Sequence, residues 1–127
     1  MSKVIPFCTI FLFLILGIKD AQANPKANIR WEVTSIDLGE IEFKKPVTAE
    51  FIFENLGLIP FIINDVKSSC GCTVPDYPKQ PVTSGHLGKI VVTFDAETEG
   101  HFSKSITVYS NAEDGVVQLY IYGMVIR

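Results

Sequence analysis

Clustered basic residues are missing from this 127-residue chain, which carries 11 Lys and Arg against 14 Asp and Glu, a formal charge of −3. Nucleic acid and anionic lipid both select surfaces with grouped Lys and Arg, so neither is the expected main partner. Catalytic signatures are absent as well. No Gly-x-Ser-x-Gly surrounds Ser84, and no carboxylate follows in a recognisable order, which leaves Ser84-Gly85-His86 without the setting of a serine hydrolase. The loop carboxylates Asp95, Glu97 and Glu99 follow neither EF-hand nor RTX spacing, so a solvated acidic loop is their ordinary reading. Internal repeats, low-complexity tracts and long amphipathic helical patterns are lacking too. Cysteine is rare, with Cys8, Cys70 and Cys72 only. No Cys-x-x-Cys stands at a helix start, where thioredoxin-like catalysis would need it.

One long apolar run is present, from Val4 to Ile18. Lys3 precedes it, Pro6 interrupts it, and Lys19 and Asp20 close it short of the roughly 20 residues a spanning helix needs. Ala21-Gln22-Ala23 then supplies the small-x-small pattern read by signal peptidase. Residues 1–23 are expected to be a cleaved signal peptide, and residues 24–127 one exported domain. Cys8 lacks the small residues that precede a lipidated cysteine and is expected to leave with the signal. Lys3, Lys19 and Asp20 leave with it, so residues 24–127 keep 9 basic and 13 acidic side chains, a balance of −4. A periplasmic or secreted location in a Gram-negative bacterium is expected, with no stable membrane insertion after cleavage.

The rest alternates apolar and polar residues with period two, broken repeatedly by turn residues. Val47, Ala49, Phe51 and Phe53 share one face of a strand whose other face carries Thr48, Glu50 and Glu54. Ile90, Val92 and Phe94 repeat the pattern, as do Phe102, Ile106 and Val108, and then Val117, Leu119 and Ile121. Trp31 to Leu38 reads as a first strand and Leu58 to Lys67 as a third. Thr73-Val74 pairs briefly before an irregular stretch from Pro75 to Pro81. About seven strands with evenly spaced turns predict an all-β, immunoglobulin-like antiparallel β-sandwich.

Once Cys8 is gone, Cys70 and Cys72 can close on each other, on a metal or on another molecule. An oxidising compartment favours their disulfide. Residues i and i+2 of an extended chain project to one side, and Gly71 permits the backbone adjustment that brings them together. As a staple the bond is poor, since loop entropy for so small a ring is about 1.6 kcal/mol. An inert local turn, thiol exchange, a metal site and a mixed disulfide with a partner all remain open. The weak metal candidates are Cys70, Cys72, His86 and His101, with no zinc-motif spacing among them. Tyr109, Tyr120 and Tyr122 are expected on one outward face, as packing or as a contact patch for protein or carbohydrate.

Phe51-Ile52-Phe53-Glu54-Asn55-Leu56-Gly57, Val66-Lys67-Ser68-Ser69-Cys70-Gly71-Cys72-Thr73-Val74-Pro75, Ser84-Gly85-His86-Leu87-Gly88-Lys89-Ile90, Gly100-His101-Phe102-Ser103-Lys104 and Ser110-Asn111 together resemble the secreted bacterial family known as domain of unknown function 1573. The resemblance covers nearly all of residues 24–127. Ser84-Gly85 stands where Pro-Gly would be expected. The family is similar to the immunoglobulin-like modules of major sperm protein, pilus chaperones and Hydin-type ciliary proteins. It implies a β-sandwich with a binding or scaffolding habit, and no established reaction. The expected function is therefore a non-enzymatic interaction module, without cofactor or metal, that binds an envelope or extracellular protein or a glycan. The alternative is a thiol-disulfide or metal-handling protein working through Cys70 and Cys72.

Overall fold

The computed structural model describes residues 25–127. The expected signal peptide, with Cys8, lies outside the described residues. Eight strands follow one another: β1 (Ile29–Trp31), β2 (Ser35–Glu42), β3 (Val47–Asn55), β4 (Ile63–Ser68), β5 (Thr73–Asp76), β6 (Leu87–Phe94), β7 (Gly100–Ser110) and β8 (Val116–Ile126). They form two four-stranded sheets, ordered β1-β3-β6-β5 and β2-β8-β7-β4. No helix occurs among the described residues. This is the immunoglobulin-like sandwich the alternation predicts, with β1 and β2 as two halves of the first strand, one half in each sheet.

Period two does the sorting. Ala49, Phe51 and Phe53 on β3 and Ile90, Val92 and Phe94 on β6 turn inward from one sheet. Ile106 and Val108 on β7 and Leu119, Ile121 and Val125 on β8 turn inward from the other. The opposed faces make one continuous core. Within it, the Phe94 and Phe102 rings stack at 4.3 Å, and Phe53 meets Phe61 edge-on at 5.0 Å.

Three segments differ from the sequence reading. Trp31 to Leu38 is not one strand: β1 pairs antiparallel with β3, and β2 pairs parallel with β8. The change of sheet falls where the Glu32 amide donates to the Ile52 carbonyl at 2.9 Å and the Thr34 carbonyl accepts from the Tyr120 amide at 2.9 Å. No glycine or proline marks it, because the switch is driven by two sheet edges and not by a turn. Leu58 to Lys67 is a strand only from Ile63. Leu58 to Ile62 forms a loop whose Pro60 cannot donate to a ladder and whose Phe61 is buried against Phe53, while an isolated bridge pairs Phe61 with Val82. Finally, β5 runs on through Pro75, which an edge strand tolerates.

The β2 edge is blunted. Gly39, at φ +68°, lies in a bulge that shifts the β2 register between Asp37 and Glu40, and its amide donates to the Asp37 carboxylate at 2.8 Å. Such an edge resists a second chain adding along its full length.

Candidate functional site

Strand β4 ends the second sheet at one side of the sandwich and β5 ends the first sheet at the same side. The chain passes between them through Ser69, Cys70, Gly71 and Cys72. Hydrogen bonds hold this crossover along its length. Ser68 Oγ donates to the Cys70 carbonyl at 2.7 Å, and the Thr73 amide donates to that carbonyl at 3.3 Å. The Asp95 amide donates to the Cys72 carbonyl at 3.0 Å. The Ser69 amide donates to the Ser105 carbonyl at 2.9 Å, and the Ser105 amide donates back to Ser69 Oγ at 3.1 Å. The Cys70 and Cys72 Cα atoms are 5.3 Å apart, inside disulfide range, and their sulfurs lie at bonding contact. Both residues are half-buried, Gly71 is exposed, and the neighbouring Thr73 is 1% exposed.

The other sulfur and nitrogen ligands lie apart from this pair. His86 is exposed in the turn before β6, its Nδ1 2.9 Å from Thr83 Oγ1 and 3.2 Å from the Ser84 carbonyl. Thr73 pairs with Phe94 at the far end of that strand, which is about 25 Å away for a strand of this length. His101 is exposed on β7 opposite Met124, in the other sheet. Among the described residues no three His, Cys, Asp or Glu side chains gather as a metal site. The acidic loop after β6 is engaged locally: Asp95 accepts the Glu97 amide at 3.1 Å, and Glu99 pairs with Arg127.

The three tyrosines share the outward face of the β2-β8-β7-β4 sheet. Tyr120 lies beside Ser35 on one neighbour and Ser105 on the other; Tyr122 lies beside Asp37 and Ser103. Tyr109 lies beside Val116 and Asp65, with Lys67 Nζ 5.9 Å from its ring centre, and Tyr109, Tyr120 and Tyr122 are 37%, 39% and 41% exposed. Next to Tyr122 an open groove of about 430 Å³ is walled by Asp37, Glu40, His101, Phe102 and Met124. Gly39 and Gly123 complete its lining, and Gly123 leaves room for the Gly39 carbonyl and the Phe102 ring. On the opposite sheet, Arg30, Trp31, Ile52 and Leu87 line a smaller cavity of about 280 Å³, bridged by the Arg30–Glu54 ion pair at 2.8 Å.

Two residues that the sequence reading passed over organise the end of the sandwich remote from the cysteines. Asn55 is fully buried; its Nδ2 donates to the Ile59 and Val82 carbonyls, each at 2.9 Å, and its Oδ1 accepts the Gly57 amide at 3.0 Å. Asn111 accepts the Ile62 amide at 2.8 Å and donates to the Pro60 carbonyl at 2.9 Å. Together they clamp the Leu58–Ile62 loop from both sides. The available signal was their place in the Phe-x-Phe-x-Asn-x-Gly and Ser-Asn elements.

Paired four-stranded sheets with a divided first strand define this molecule as an immunoglobulin-like sandwich. The chain belongs to the family described as protein of unknown function (DUF1573), whose model matches residues 29–125. Among solved structures it is similar to a protein of unknown function from Porphyromonas gingivalis W83, at 13% identity and TM-score 0.71, over 84% of this chain and 50% of that one. The chain thus spans half the length of that relative. It is also similar to the ASH/PapD-like domain 7 of human CEP192, at 13% identity and TM-score 0.68, over 87% of this chain and 93% of the domain. The secreted serine protease VesC from Vibrio cholerae matches at 13% identity and TM-score 0.60, over 77% of this chain but 23% of the protease. At such identities the likeness is one of fold. No curated protein matches the chain.

Proposed function

We propose that this protein is an exported, non-enzymatic interaction module that docks another protein on the outward face of the β2-β8-β7-β4 sheet. The observation that carries the reading is the placement of Tyr120 and Tyr122 over small partners, beside the groove walled by Asp37, Glu40 and Met124. Tyrosine gives large, rigid contact area at low entropic cost and is enriched among residues that dominate binding energy. Asp37 and Glu40 form no ion pair among the described residues, so the groove suits a partner segment that carries a Lys or Arg beside an apolar side chain.

A photo-crosslinking side chain placed at Tyr122, with a control at the exposed Glu50 on the opposite sheet, tests the reading in the cell of origin. A discrete protein adduct is expected at position 122 only. Tyr120→Ala should weaken that adduct about tenfold, the effect of losing one dominant contact. No reproducible protein adduct, or equal adducts at both positions, overturns it.

A further inference from the structure

The hydroxyl of Thr73 has an unusual set of partners. Thr73 is 1% exposed, and among the described residues its Oγ1 meets only sulfur: Cys72 Sγ at 3.6 Å and Cys70 Sγ at 3.9 Å. Buried hydroxyls ordinarily pair with oxygen or nitrogen, because sulfur is a weak acceptor. A disulfide sulfur carries no proton, so here the hydroxyl is the donor, and the bond it makes is poor. A thiolate at the same place would turn it into a charge-assisted hydrogen bond, about twice as strong. The hydroxyl therefore stabilises a Cys72 thiolate more than it stabilises the closed disulfide.

The two sulfurs are also unequal. Cys72 packs against the core, and Cys70 does not. The hydroxyl lies closer to Cys72. The crossover keeps its own hydrogen bonds to Ser68, Asp95 and Ser105, so opening the sulfur bond leaves the backbone held. On the side of the crossover, β4 and β5 are both edge strands, so an incoming chain meets no further strand there.

We infer that Cys70 and Cys72 form a thiol-disulfide exchange site for a partner dithiol, with Thr73 as the residue that positions a hydrogen bond on the departing Cys72 sulfur. A thiolate of the partner attacks Cys70 Sγ, the Cys70–Cys72 bond breaks, and Cys72 leaves as a thiolate that accepts the Thr73 proton contact. The product is a mixed disulfide between the partner and Cys70. The partner's second thiolate then attacks the partner's own sulfur in that mixed disulfide and releases the Cys70 thiolate. The partner dithiol, having given its two protons to solvent, is oxidised to a disulfide, and its two electrons end on the Cys70 and Cys72 thiolates, which take up protons from solvent. The inference stands apart from docking on the tyrosine face, which does not require it.

The probe is glutathione, applied to the full mature protein as a graded series of reduced to oxidised ratios. Samples are quenched in acid and read by intact mass and by mapping of the modified cysteine. The bond is expected to open within the series, with glutathione carried on Cys70. Thr73→Val removes the hydroxyl and keeps the volume; opening should slow about tenfold and its midpoint should move to a more reducing ratio. Thr73→Ser should restore both to within about threefold of the parent. A bond that stays closed throughout, glutathione found mainly on Cys72, or a Thr73→Val protein that opens like the parent overturns the inference. The cysteine map uses the unaltered chain, so it decides the matter even where a Thr73 variant fails to fold.

Discussion

At the scale of single residues, the side chain with most at stake outside the apolar core is Asn55. Its amide satisfies three backbone groups, two in the loop that follows β3 and one at Val82, with no exposure to water. Asn55→Ala leaves the Ile59 and Val82 carbonyls and the Gly57 amide without that partner, and a buried unpaired polar group costs about 1–3 kcal/mol. Relaxation of the loop around the smaller side chain lets some of these groups find new partners, so a loss of about 2–4 kcal/mol in urea unfolding is expected. Asn55→Asp should be no better, since a carboxylate cannot donate to the two carbonyls. Phe51 lies at the other extreme, wholly apolar and 0% exposed, and Phe51→Ala should cost about 3–5 kcal/mol by the same measurement. Phe51 was legible in the sequence because alternation alone places it inside. Asn55 was not, because its burial follows from the Phe61–Val82 bridge, a pairing between two irregular stretches that carry no period.

At the scale of elements, alternation marks the strands that have one face in the core and the other in water; β3, β6, β7 and β8 appear where the pattern puts them. The segments that depart from the alternation are all at edges. An edge strand has one neighbour, weaker demands on alternation and freedom to change sheet, so β1 and β2 read as one strand and β5 read as shorter than it is. The bulge in β2 is an element-level device with its own test. A Cβ at Gly39 meets nothing within 4 Å, so Gly39→Ala is expected to cost only the backbone penalty of a left-handed residue, about 1–2 kcal/mol. Gly88 makes the opposite case, since the Phe53 ring occupies the space its side chain would need. Gly88→Ala should therefore cost about 1–3 kcal/mol through overpacking, although it lies in an ordinary strand. Comparing the two variants by urea midpoint separates strain in the chain from crowding in the core. The cysteine crossover was legible as a pair of sulfurs, but Thr73 was not, because its hydroxyl gains meaning only once the core closes over it.

At the scale of the whole molecule, the two sheets share a single core, and each contributes side chains that have no other neighbours to bury against. Neither sheet has a reason to persist without the other, so unfolding should be two-state. The Cys70–Cys72 bond adds little to this balance: the Cys70→Ser, Cys72→Ser double variant is expected to lose at most about 1.6 kcal/mol. The chain's lone tryptophan makes cooperativity directly testable. Trp31 sits on β1, the shortest edge strand, with its ring 5.1 Å from that of Phe53. Its fluorescence reports on the periphery of one sheet, while far-ultraviolet circular dichroism reports on all eight strands. If contact with Phe53 ties β1 to the common core, the two probes trace one urea transition, with a slope of about 1–2 kcal/mol per molar expected for a domain of this size. A fluorescence change that precedes the loss of circular dichroism would show β1 detaching alone, and with it half of the divided first strand.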